Sequence, residues 1–571
     1  MKFYPPSWLT PIPQDLSGLG SIGDFVLRGQ HDTAVADPAI LISADDEKDV
    51  KTPQQLAEDV ENLAAALAQD LEWAAPASVS ADGGRVIALL SENTLDYLTC
   101  SWAIHRLQGT CLLLHGSSSA AENGKHLKVS GCKVVITSSS LLESATAALT
   151  AAGVSEARVY LTTTPAASGE SNGTGTDGAH REPKTIAALL HVGKSLARLP
   201  PLETRAQVAY LCPTSGTSGI QKLARLTHTA IIANILQLIE LEQITRRRDA
   251  EVVLGVMPLS HVQGIVSSHT SVYMRDRFIL HTKFDMTQAM SSIQAHRINR
   301  LYLVPSVLAA LIGNPFLFKM FDLSSVDTLY VGAGNVSPEL HAKTKEVQPG
   351  WNIVTGYGMT ECPAAIAMSS PHEYVPGSVG VLLASYEARL IREDGSEVQS
   401  FDEPGELVVS SPNQAIGYLG DEKGTAATFR DGWLHTGDVA LFRKSPNGDS
   451  HLCIVDRLRD MIKVKGLQVS PVAIEECIKK HADVSDVAVI GIPDDLAGER
   501  PKAFVVPAKK PPTEQGAAEP VDQEAFFDEL DDHVEANLTE PHWIRGKYEI
   551  LEVLPRNPSG KISKGVLRAR G

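Results

Sequence analysis

A run of glycine and hydroxyl residues follows an apolar stretch and ends at a lysine. Residues 214–222 read T-S-G-T-S-G-I-Q-K, directly after the apolar run 208–211. Glycines let the backbone approach a polyanion, while hydroxyls, backbone N–H groups and a lysine supply donors and positive charge. The pattern predicts a phosphate-binding loop, although it differs from the Walker A form GxxxxGK[ST]. The predicted phosphate-binding residues are Thr214, Ser215, Gly216, Thr217, Ser218, Gly219 and Lys222.

Five further segments contain residues that could bind ligands or take part in catalysis. Two of them end on a carboxylate in a glycine-rich turn: T-G-Y-G-M-T-E ends at Glu361 and G-W-L-H-T-G-D ends at Asp438. A hard cation takes oxygen ligands, often one or two carboxylates beside phosphate groups. The other segments are V-G-A-G at 331–334, D-R-L-R-D-M-I-K-V-K-G-L-Q at 456–468 and N-P-S-G-K at 557–561.

Composition and charge restrict the class of protein. The chain has 571 residues and a net charge of −17, which argues against a nucleic-acid partner because such proteins need a basic face. Its seven cysteines show no CxxC spacing, so neither a zinc site nor a disulfide framework is expected. The sequence shows no signal peptide, no membrane-spanning apolar run and no peroxisomal SKL ending. These features predict a cytoplasmic protein with no membrane span.

Short β-branched runs alternate with amphipathic segments, which predicts an α/β fold with largely parallel sheets. The predicted strands are 86–90, 134–137, 208–211, 252–257, 301–304, 328–331 and 352–355, and the helices include 53–69, 230–242 and 287–296. A polar run at 456–460 after the predicted strand 451–455 predicts a boundary between domains 1–456 and 457–571. Segments 162–183 and 509–523 are of low complexity and predict surface loops.

The loop at 214–222 resembles TSGTTGxPKG, the signature of the adenylate-forming superfamily of acyl-CoA synthetases, peptide-synthetase adenylation domains and luciferases. The five other segments resemble further motifs of that family in the same order, and the resemblance covers essentially the whole chain from about residue 50. Gln221 and Leu223 stand where the signature has proline and glycine. The start of the chain, F-Y-P-P-S-W-L-T-P-I-P with G-S-I-G-D-F at 20–25, is similar to coumarate-CoA-ligase-like enzymes.

The resemblance implies a fold and an activity. A large N-terminal domain of mixed and parallel sheets flanked by helices would carry a small, mobile α+β C-terminal domain. The enzyme would use ATP and Mg²⁺ to convert a small-molecule carboxylic acid to an acyl-adenylate, and would then transfer the acyl group to coenzyme A.

The resemblance also implies roles in the adenylation step. Thr360 would bond the α-phosphate and Glu361 would hold Mg²⁺, while Asp438 would accept the ribose hydroxyls with Arg457 nearby. Adenine would stack on Tyr357 and approach small residues, namely Gly332, Ala333, Gly334, Gly356 and Gly358. A lysine such as Lys561 is ordinarily a solvated surface charge. In this family the matching lysine stabilises negative charge as pyrophosphate leaves.

The second step would use the turn at 463–468. By resemblance, Lys463, Lys465, Gly466 and Gln468 line the tunnel for the pantetheine arm of coenzyme A. One small domain cannot present both Lys561 and this turn to a single adenylate. The family rotates its C-terminal domain between the steps, and the hinge corresponds to Arg459.

The acyl pocket is predicted around residues 257–264, M-P-L-S-H-V-Q-G, where His261 would lie at the pocket mouth. Pro305, Ser306, Gly332 and Gly334 would line the cavity. No acidic residue occurs between 256 and 273, which favours an aryl, fatty or polyketide-type acid over an amino acid. A carrier-protein thiol or an amine remains open as the acceptor. A non-catalytic paralogue is the remaining alternative.

Overall fold

A computed structural model describes most of the chain. The described residues are 1–29, 38–73, 85–162, 183–199, 207–214, 221–332, 334, 336–465, 467–494, 496–508, 523–556 and 562–570. Several predicted site residues lie outside these ranges, namely Ser215, Gly216, Thr217, Ser218, Gly219, Ala333, Gly466 and Lys561. Most of the two low-complexity segments also lies outside them.

The strands are numbered in chain order. They are β1 Leu41–Ser43, β2 Val50–Lys51, β3 Val86–Leu90, β4 Thr110–Leu113, β5 Val134–Thr137, β6 Arg158–Leu161, β7 Lys184–Thr185, β8 Val208–Pro213, β9 Leu223–Thr227, β10 Val252–Gly255, β11 Arg277–Leu280, β12 Arg300–Leu303, β13 Thr328–Val331, β14 Asn352–Met359, β15 Cys362–Met368, β16 Gly380–Leu382, β17 Glu387–Ile391, β18 Gly405–Ser410, β19 Phe429–Arg430, β20 Trp433–Lys444, β21 Ser450–Arg457, β22 Ile462–Val464, β23 Leu467–Val469, β24 Val484–Asp494, β25 Gly498–Pro507 and β26 Tyr548–Ile550.

The helices follow the same convention. They are α1 Ile22–Arg28, α2 Pro53–Asp70, α3 Asp96–Arg106, α4 Ala120–Ser130, α5 Leu142–Ala152, α6 Ile186–Gly193, α7 His228–Thr245, α8 Val262–Tyr273, α9 Met286–His296, α10 Pro305–Ile312, α11 Leu317–Met320, α12 Pro338–Val347, α13 Glu422–Thr428, α14 Pro471–Ile478, α15 Gln523–Asn537 and α16 Lys564–Arg568. In the described ranges, none of these helices has the length and apolar character needed to cross a membrane.

Three sheets organise the described chain, and they confirm the predicted α/β class. The first has the order β7-β6-β5-β3-β4-β8-β9 and is parallel except for the antiparallel pair β8–β9. The second has the order β17-β18-β20-β21-β16-β15-β14-β13-β12-β10-β11-β1-β2, with β19 beside β20. Its strands from β14 to β1 run parallel, because helices connect most of them on the faces of the sheet.

The third sheet belongs to the C-terminal part and has the order β23-β22-β25-β24, with β26 beside β25. Its apolar cluster draws its buried members from the stretch between Ile462 and Tyr548, including residues of α14 and α15. The last strand of the second sheet ends at Arg457. The change of sheet therefore falls between Arg457 and Ile462, and the domain boundary at 456–460 stays a prediction.

The predicted elements agree with the structure most closely where apolar runs are short and buried. Strands 86–90, 134–137 and 328–331 have the predicted bounds, whereas the strand predicted at 252–257 ends at Gly255 and that at 352–355 continues to Met359. The helix predicted at 230–242 spans His228–Thr245 because the Thr227 hydroxyl caps its first turn by accepting from Ala230 N–H. The ends of elements thus depend on local capping and pairing rather than on apolar pattern alone.

Three buried histidines lie together between the first sheet and helices α3, α7 and α8. The rings of His105 and His228 are 4.6 Å apart, and His269 Nε2 lies 2.9 Å from the Tyr210 hydroxyl. Burial lowers the pKa of His105 well below its usual value, and lowers the pKa of His228 and His269 to about 3. All three rings are therefore neutral in the folded protein near pH 7.

This cluster predicts acid sensitivity. A histidine whose pKa is lowered on folding stabilises the fold above its unfolded pKa of about 6.5, and that stability is lost as the pH falls below it. We expect the free energy of unfolding, measured by urea titration, to fall between pH 7.5 and pH 5.5 by about 1 kcal/mol for each of the three rings. His228→Asn, which keeps an acceptor for Ile22 N–H, should show a smaller pH dependence. Substitution of the exposed His191 by Asn should leave the pH dependence of stability as in the wild type.

Candidate functional site

The predicted phosphate loop joins the antiparallel strands β8 and β9. Pro213 pairs with Leu223 across the hairpin, and Thr214 N–H donates to the Lys222 carbonyl over 2.8 Å. This bond brings Thr214 and Lys222, the two described ends of the predicted loop, next to each other. Lys222 Nζ lies 3.0 Å from Asp421 Oδ2 and 4.6 Å from the ring centroid of Tyr418.

The segment that carries Tyr418 and Asp421 is attached to β9. Tyr418 forms an antiparallel bridge with Ala224, and Leu419 N–H donates to the Leu223 carbonyl over 2.8 Å. The Tyr418 hydroxyl donates to Glu361 Oε1 at 2.6 Å. The exit of the phosphate hairpin is thereby connected through one tyrosine to the first of the two predicted carboxylates.

Glu361 lies at the tip of the hairpin formed by β14 and β15 and is buried. Burial is the main cause that raises the pKa of its carboxyl, and nearby Asp438 adds to the increase, whereas the bond from Tyr418 and the charge of Arg457 oppose it. Within the described residues, no lysine or arginine forms an ion pair with Glu361. A buried carboxylate that no described lysine or arginine pairs with, next to a predicted phosphate loop, fits an oxygen-ligated cation such as Mg²⁺.

Asp438, Arg457 and Tyr357 form the second half of the site. Asp438 on β20 is paired in register with Arg457 on β21, and Arg457 Nε lies 3.2 Å from Asp438 Oδ1. The Tyr357 hydroxyl donates to Asp438 Oδ2 at 2.6 Å, and burial together with this carboxylate raises the pKa of Tyr357. The structure therefore brings these three predicted nucleotide-binding residues together and orients the Asp438 carboxylate from both sides.

The two glycines beside Tyr357 differ in what they allow. A Cβ at Gly358 would lie 2.0 Å from the Ala364 carbonyl oxygen, so that only glycine lets β14 approach β15 so closely. A Cβ at Gly356 would meet Met368 Cγ at 3.5 Å, which is an ordinary contact. Gly358 thus has a packing reason for its identity besides its predicted contact with the nucleotide.

The predicted acyl pocket collects residues from four segments. His261 is the residue before α8, and its ring lies 4.6 Å from that of His115. A Cβ at Gly332 would lie 3.0 Å from Gln263 Nε2, and one at Gly334 would lie 3.1 Å from Pro305 Cγ. Ser306 follows Pro305 in the first turn of α10.

Asn93, which the sequence analysis did not identify, holds the segment before His261. Its Nδ2 donates to the Met257 carbonyl at 3.1 Å and to the His281 carbonyl at 3.2 Å, while its Oδ1 accepts from Leu259 N–H at 2.9 Å. Asn93 is 164 residues from Met257 along the chain, so no local pattern could show this contact. Tyr418 and Asp421 were missed for the same reason, since neither lies in a motif singled out from the sequence.

The turn at 463–468, predicted to serve the thiol step, contacts acidic surface residues in the structure. Lys463 Nζ is 2.7 Å from Glu393 Oε1, and Gln468 Nε2 is 3.2 Å from Glu393 Oε2. Lys465 Nζ lies 3.2 Å from Glu540. The three side chains thus contact exposed acidic residues and are not gathered around Glu361 and Asp438.

Arg459, the predicted hinge, is a central residue of a tight turn. Asp460 N–H donates to the Arg457 carbonyl over 2.9 Å, and Asp460 Oδ1 accepts from Arg568 of α16 over 2.6 Å. Burial lowers the pKa of Arg459, while the neighbouring Asp460 opposes that shift. The turn that joins the second and third sheets is therefore also tied to the last helix.

Family models and full-length relatives match this chain over most of its length. Residues 28–419 match the AMP-binding enzyme model, and residues 473–561 match the model for the AMP-binding enzyme C-terminal domain. Acyl-CoA ligase easD of Emericella nidulans is 39% identical over 100% of both chains. Acyl-CoA ligase gloD of Glarea lozoyensis is 37% identical over 100% of this chain and 99% of its own.

Solved structures share the fold at lower identity. The anthranilate CoA ligase AuaEII in complex with anthranoyl-AMP superimposes with a TM-score of 0.78 at 21% identity, covering 96% of this chain and 98% of its own. The amide bond synthetase McbA of Marinactinospora thermotolerans gives 0.76 at 24%, covering 96% and 99%. The fold, the full-length relatives and the two family models agree: the chain belongs to the AMP-binding enzyme family.

Proposed function

We propose that the protein is an AMP-forming acid–CoA ligase. It activates a carboxylic acid with ATP to an acyl-adenylate, releases pyrophosphate, and then transfers the acyl group to the thiol of coenzyme A with release of AMP. The observation that carries this proposal is the pair of buried carboxylates, Glu361 and Asp438, held by tyrosine hydroxyls beside the exit of the phosphate hairpin. The full-length acyl-CoA ligase relatives support it.

Nucleotide binding rests on the Asp438 group in this proposal. Its carboxylate accepts from the ribose hydroxyls as charge-assisted hydrogen bonds, and Arg457 and Tyr357 fix its orientation beforehand. The Tyr357 ring offers its face to adenine, and the base approaches the backbone at Gly332 and Gly334. Lys222 and the hydroxyl of Thr214 hold the terminal phosphates from the two ends of the hairpin loop.

Glu361 is the residue proposed to hold Mg²⁺, because it is a buried carboxylate oriented by Tyr418. When bound, the cation supplies neutralisation of charge on the phosphate oxygens. Thr360, which precedes Glu361, donates its hydroxyl to an α-phosphate oxygen. Lys561 stabilises the charge that develops when a carboxylate oxygen attacks the α-phosphorus and the bond to pyrophosphate breaks.

The thiol step needs the turn that contains Lys463 and Gln468, which contacts Glu393 in the present arrangement. We infer that the C-terminal domain rotates about Arg459 after adenylation and delivers this turn to the adenylate. Gly466 would then let the pantetheine arm approach, and Lys463 and Lys465 would attract its anionic nucleotide end. The sulfur attacks the acyl carbon, the bond to the AMP oxygen breaks, and the thiol proton is released.

The acid is proposed to be an aryl, fatty or polyketide-type acid. No acidic side chain occurs between residues 256 and 273, so the segment around His261 offers no partner for an ammonium group. Gln263 and Pro305 pack closely against Gly332 and Gly334, where a Cβ would come within 3.0 Å and 3.1 Å, so larger residues at these two positions would crowd the proposed pocket.

Pyrophosphate release from a panel of acids, with and without coenzyme A, tests the proposal directly. We expect at least one aryl or aliphatic acid to give ATP-dependent pyrophosphate release and, with coenzyme A, a thioester detected by mass spectrometry. Amino acids should give neither product. Pyrophosphate release with at least one acid, but thioester formation with none, would replace coenzyme A as the acceptor by a carrier protein or an amine. No release with any acid would contradict an activating enzyme.

A further inference from the structure

Gln221, which occupies the proline position of the resembling signature, makes a long-range contact. Its Oε1 lies 2.8 Å from Nε2 of His126, a buried residue of α4 that is 95 positions away in the chain. Burial is the main cause that lowers the pKa of His126, so its ring is neutral near pH 7. Its Nε2–H can then donate to the amide oxygen of Gln221, which leaves both groups satisfied.

Helix α4 is a fixed support for this contact. A capping box of Ser119 and Glu122 sets its first turn, and Asn123 Nδ2 donates to the His115 carbonyl at 3.2 Å. Leu127 of the same helix belongs to the apolar cluster against which Leu419 packs, in the segment that carries Tyr418 and Asp421. The helix therefore bonds to Gln221 on one side of Lys222 and shares an apolar cluster with the segment whose Asp421 pairs with Lys222.

The substitution at the next signature position is compensated as well. Leu223, which stands in place of glycine, is buried in an apolar cluster with Leu211, and Leu419 packs against that cluster. Leu419 N–H also donates to the Leu223 carbonyl. The backbone after Lys222 is therefore held by packing and pairing, whereas the backbone before Lys222 is held by the side chain of Gln221.

We propose that Gln221 and His126 are a positioning pair that holds the exit of the phosphate hairpin, and with it Lys222, in place for ATP. A proline restricts φ through its ring, and here a hydrogen bond to a fixed helix performs the equivalent restriction. This proposal rests on the proposed function of the hairpin in binding ATP. The pair touches no reacting atom, so its loss should weaken ATP binding more than it slows the chemical step.

The test is a double-mutant cycle with His126→Phe and Gln221→Pro. Loss of one buried hydrogen bond corresponds to a change of about 5–10-fold. We expect His126→Phe to raise the Kd for ATP, measured by calorimetry without acid, and the KM for ATP by that factor. The kcat and the KM for the acid should stay within about twofold. Lys125→Ala, an exposed change on the same helix, is the control and should alter none of these values.

Gln221→Pro should bind ATP within about twofold of wild type, and adding His126→Phe to it should have no further effect, because the contact is already gone. His126→Gln keeps a side-chain N–H donor and should bind ATP more tightly than His126→Phe. It also provides a second variant if His126→Phe does not fold. An unchanged Kd in both His126 variants, or an equal loss with and without Gln221→Pro, overturns the positioning pair. Failure of the wild type to bind ATP overturns the proposed function itself.

Discussion

Lys561→Ala is expected to lower acid-dependent exchange of pyrophosphate into ATP by ~10²-fold or more, the size typical of removing one preorganised charge stabiliser. The reason is electrostatic, because the attacking carboxylate and the α-phosphate are both anionic and their approach needs a cation. The hairpin lysine, Lys222, already forms an ion pair with Asp421, so a further cation is needed. The exchange reaction isolates adenylation, so it is the measurement that reports on this residue.

Lys564→Ala is the matched control for this prediction. Lys564 lies three positions further along the chain, but its Nζ is 2.8 Å from Glu475 Oε1 within the C-terminal part. Its loss should lower the stability of that part, because the pKa of the buried Glu475 is already raised by burial, and should leave exchange by the folded enzyme within a few-fold. Equal exchange by the Lys561 and Lys564 variants would remove Lys561 from the catalytic group.

The sequence predicted those parts of the site whose residues lie in one segment. The two turns that end on Glu361 and Asp438 were identifiable because glycines surround a single carboxylate. In the structure they are connected across the second sheet, where the hydroxyl of Tyr357 on β14 donates to Asp438 on β20. Short buried strands such as Val86–Leu90 had the predicted bounds for a similar reason, since a run of five buried apolar residues flanked by polar ones has few other interpretations.

What the sequence could not show is which side chains orient those carboxylates. Tyr418 reaches Glu361 across 57 positions, and Tyr357 reaches Asp438 across 81. Both contacts depend on the order of strands in the second sheet and on the segment beside β9, neither of which leaves a periodic signal. Gln221 looked like a simple departure from the signature, and only its distance to His126 gives the residue a role. The predicted pocket around His261 likewise depends on Asn93, which lies far away in the chain.

The proposed rotation leads to the second large effect. In the present arrangement the side chain of Lys463 is 62% exposed, and Leu467 of the same turn is 56% exposed. A turn that lines a tunnel to the adenylate would be mostly covered, so the proposed thiol step requires a different arrangement of the C-terminal part. Holding the C-terminal part in this position should therefore block thioester formation.

A short cross-link between α12 and the turn that follows α14 would hold the C-terminal part in this position. Glu339 and Lys480 form an exposed ion pair of 3.5 Å across the two parts of the chain, and all seven native cysteines are buried. Cysteines introduced at Glu339 and Lys480 should therefore react selectively with a short bismaleimide. We expect the cross-linked protein to form thioester at least about tenfold more slowly, because such domain motions commonly gate turnover.

The comparison of two half-reactions distinguishes a blocked rotation from general damage. Pyrophosphate exchange with acid and ATP should stay within a few-fold of wild type after cross-linking, whereas thioester formation should fall. The two single-cysteine variants treated with the same reagent are the controls, and both should keep both activities. Loss of exchange and thioester formation together would show that this arrangement serves neither step. Full thioester formation by the cross-linked protein would contradict a rotation about Arg459. The turn at Lys463 would then serve the thiol step while its contact with Glu393 is kept.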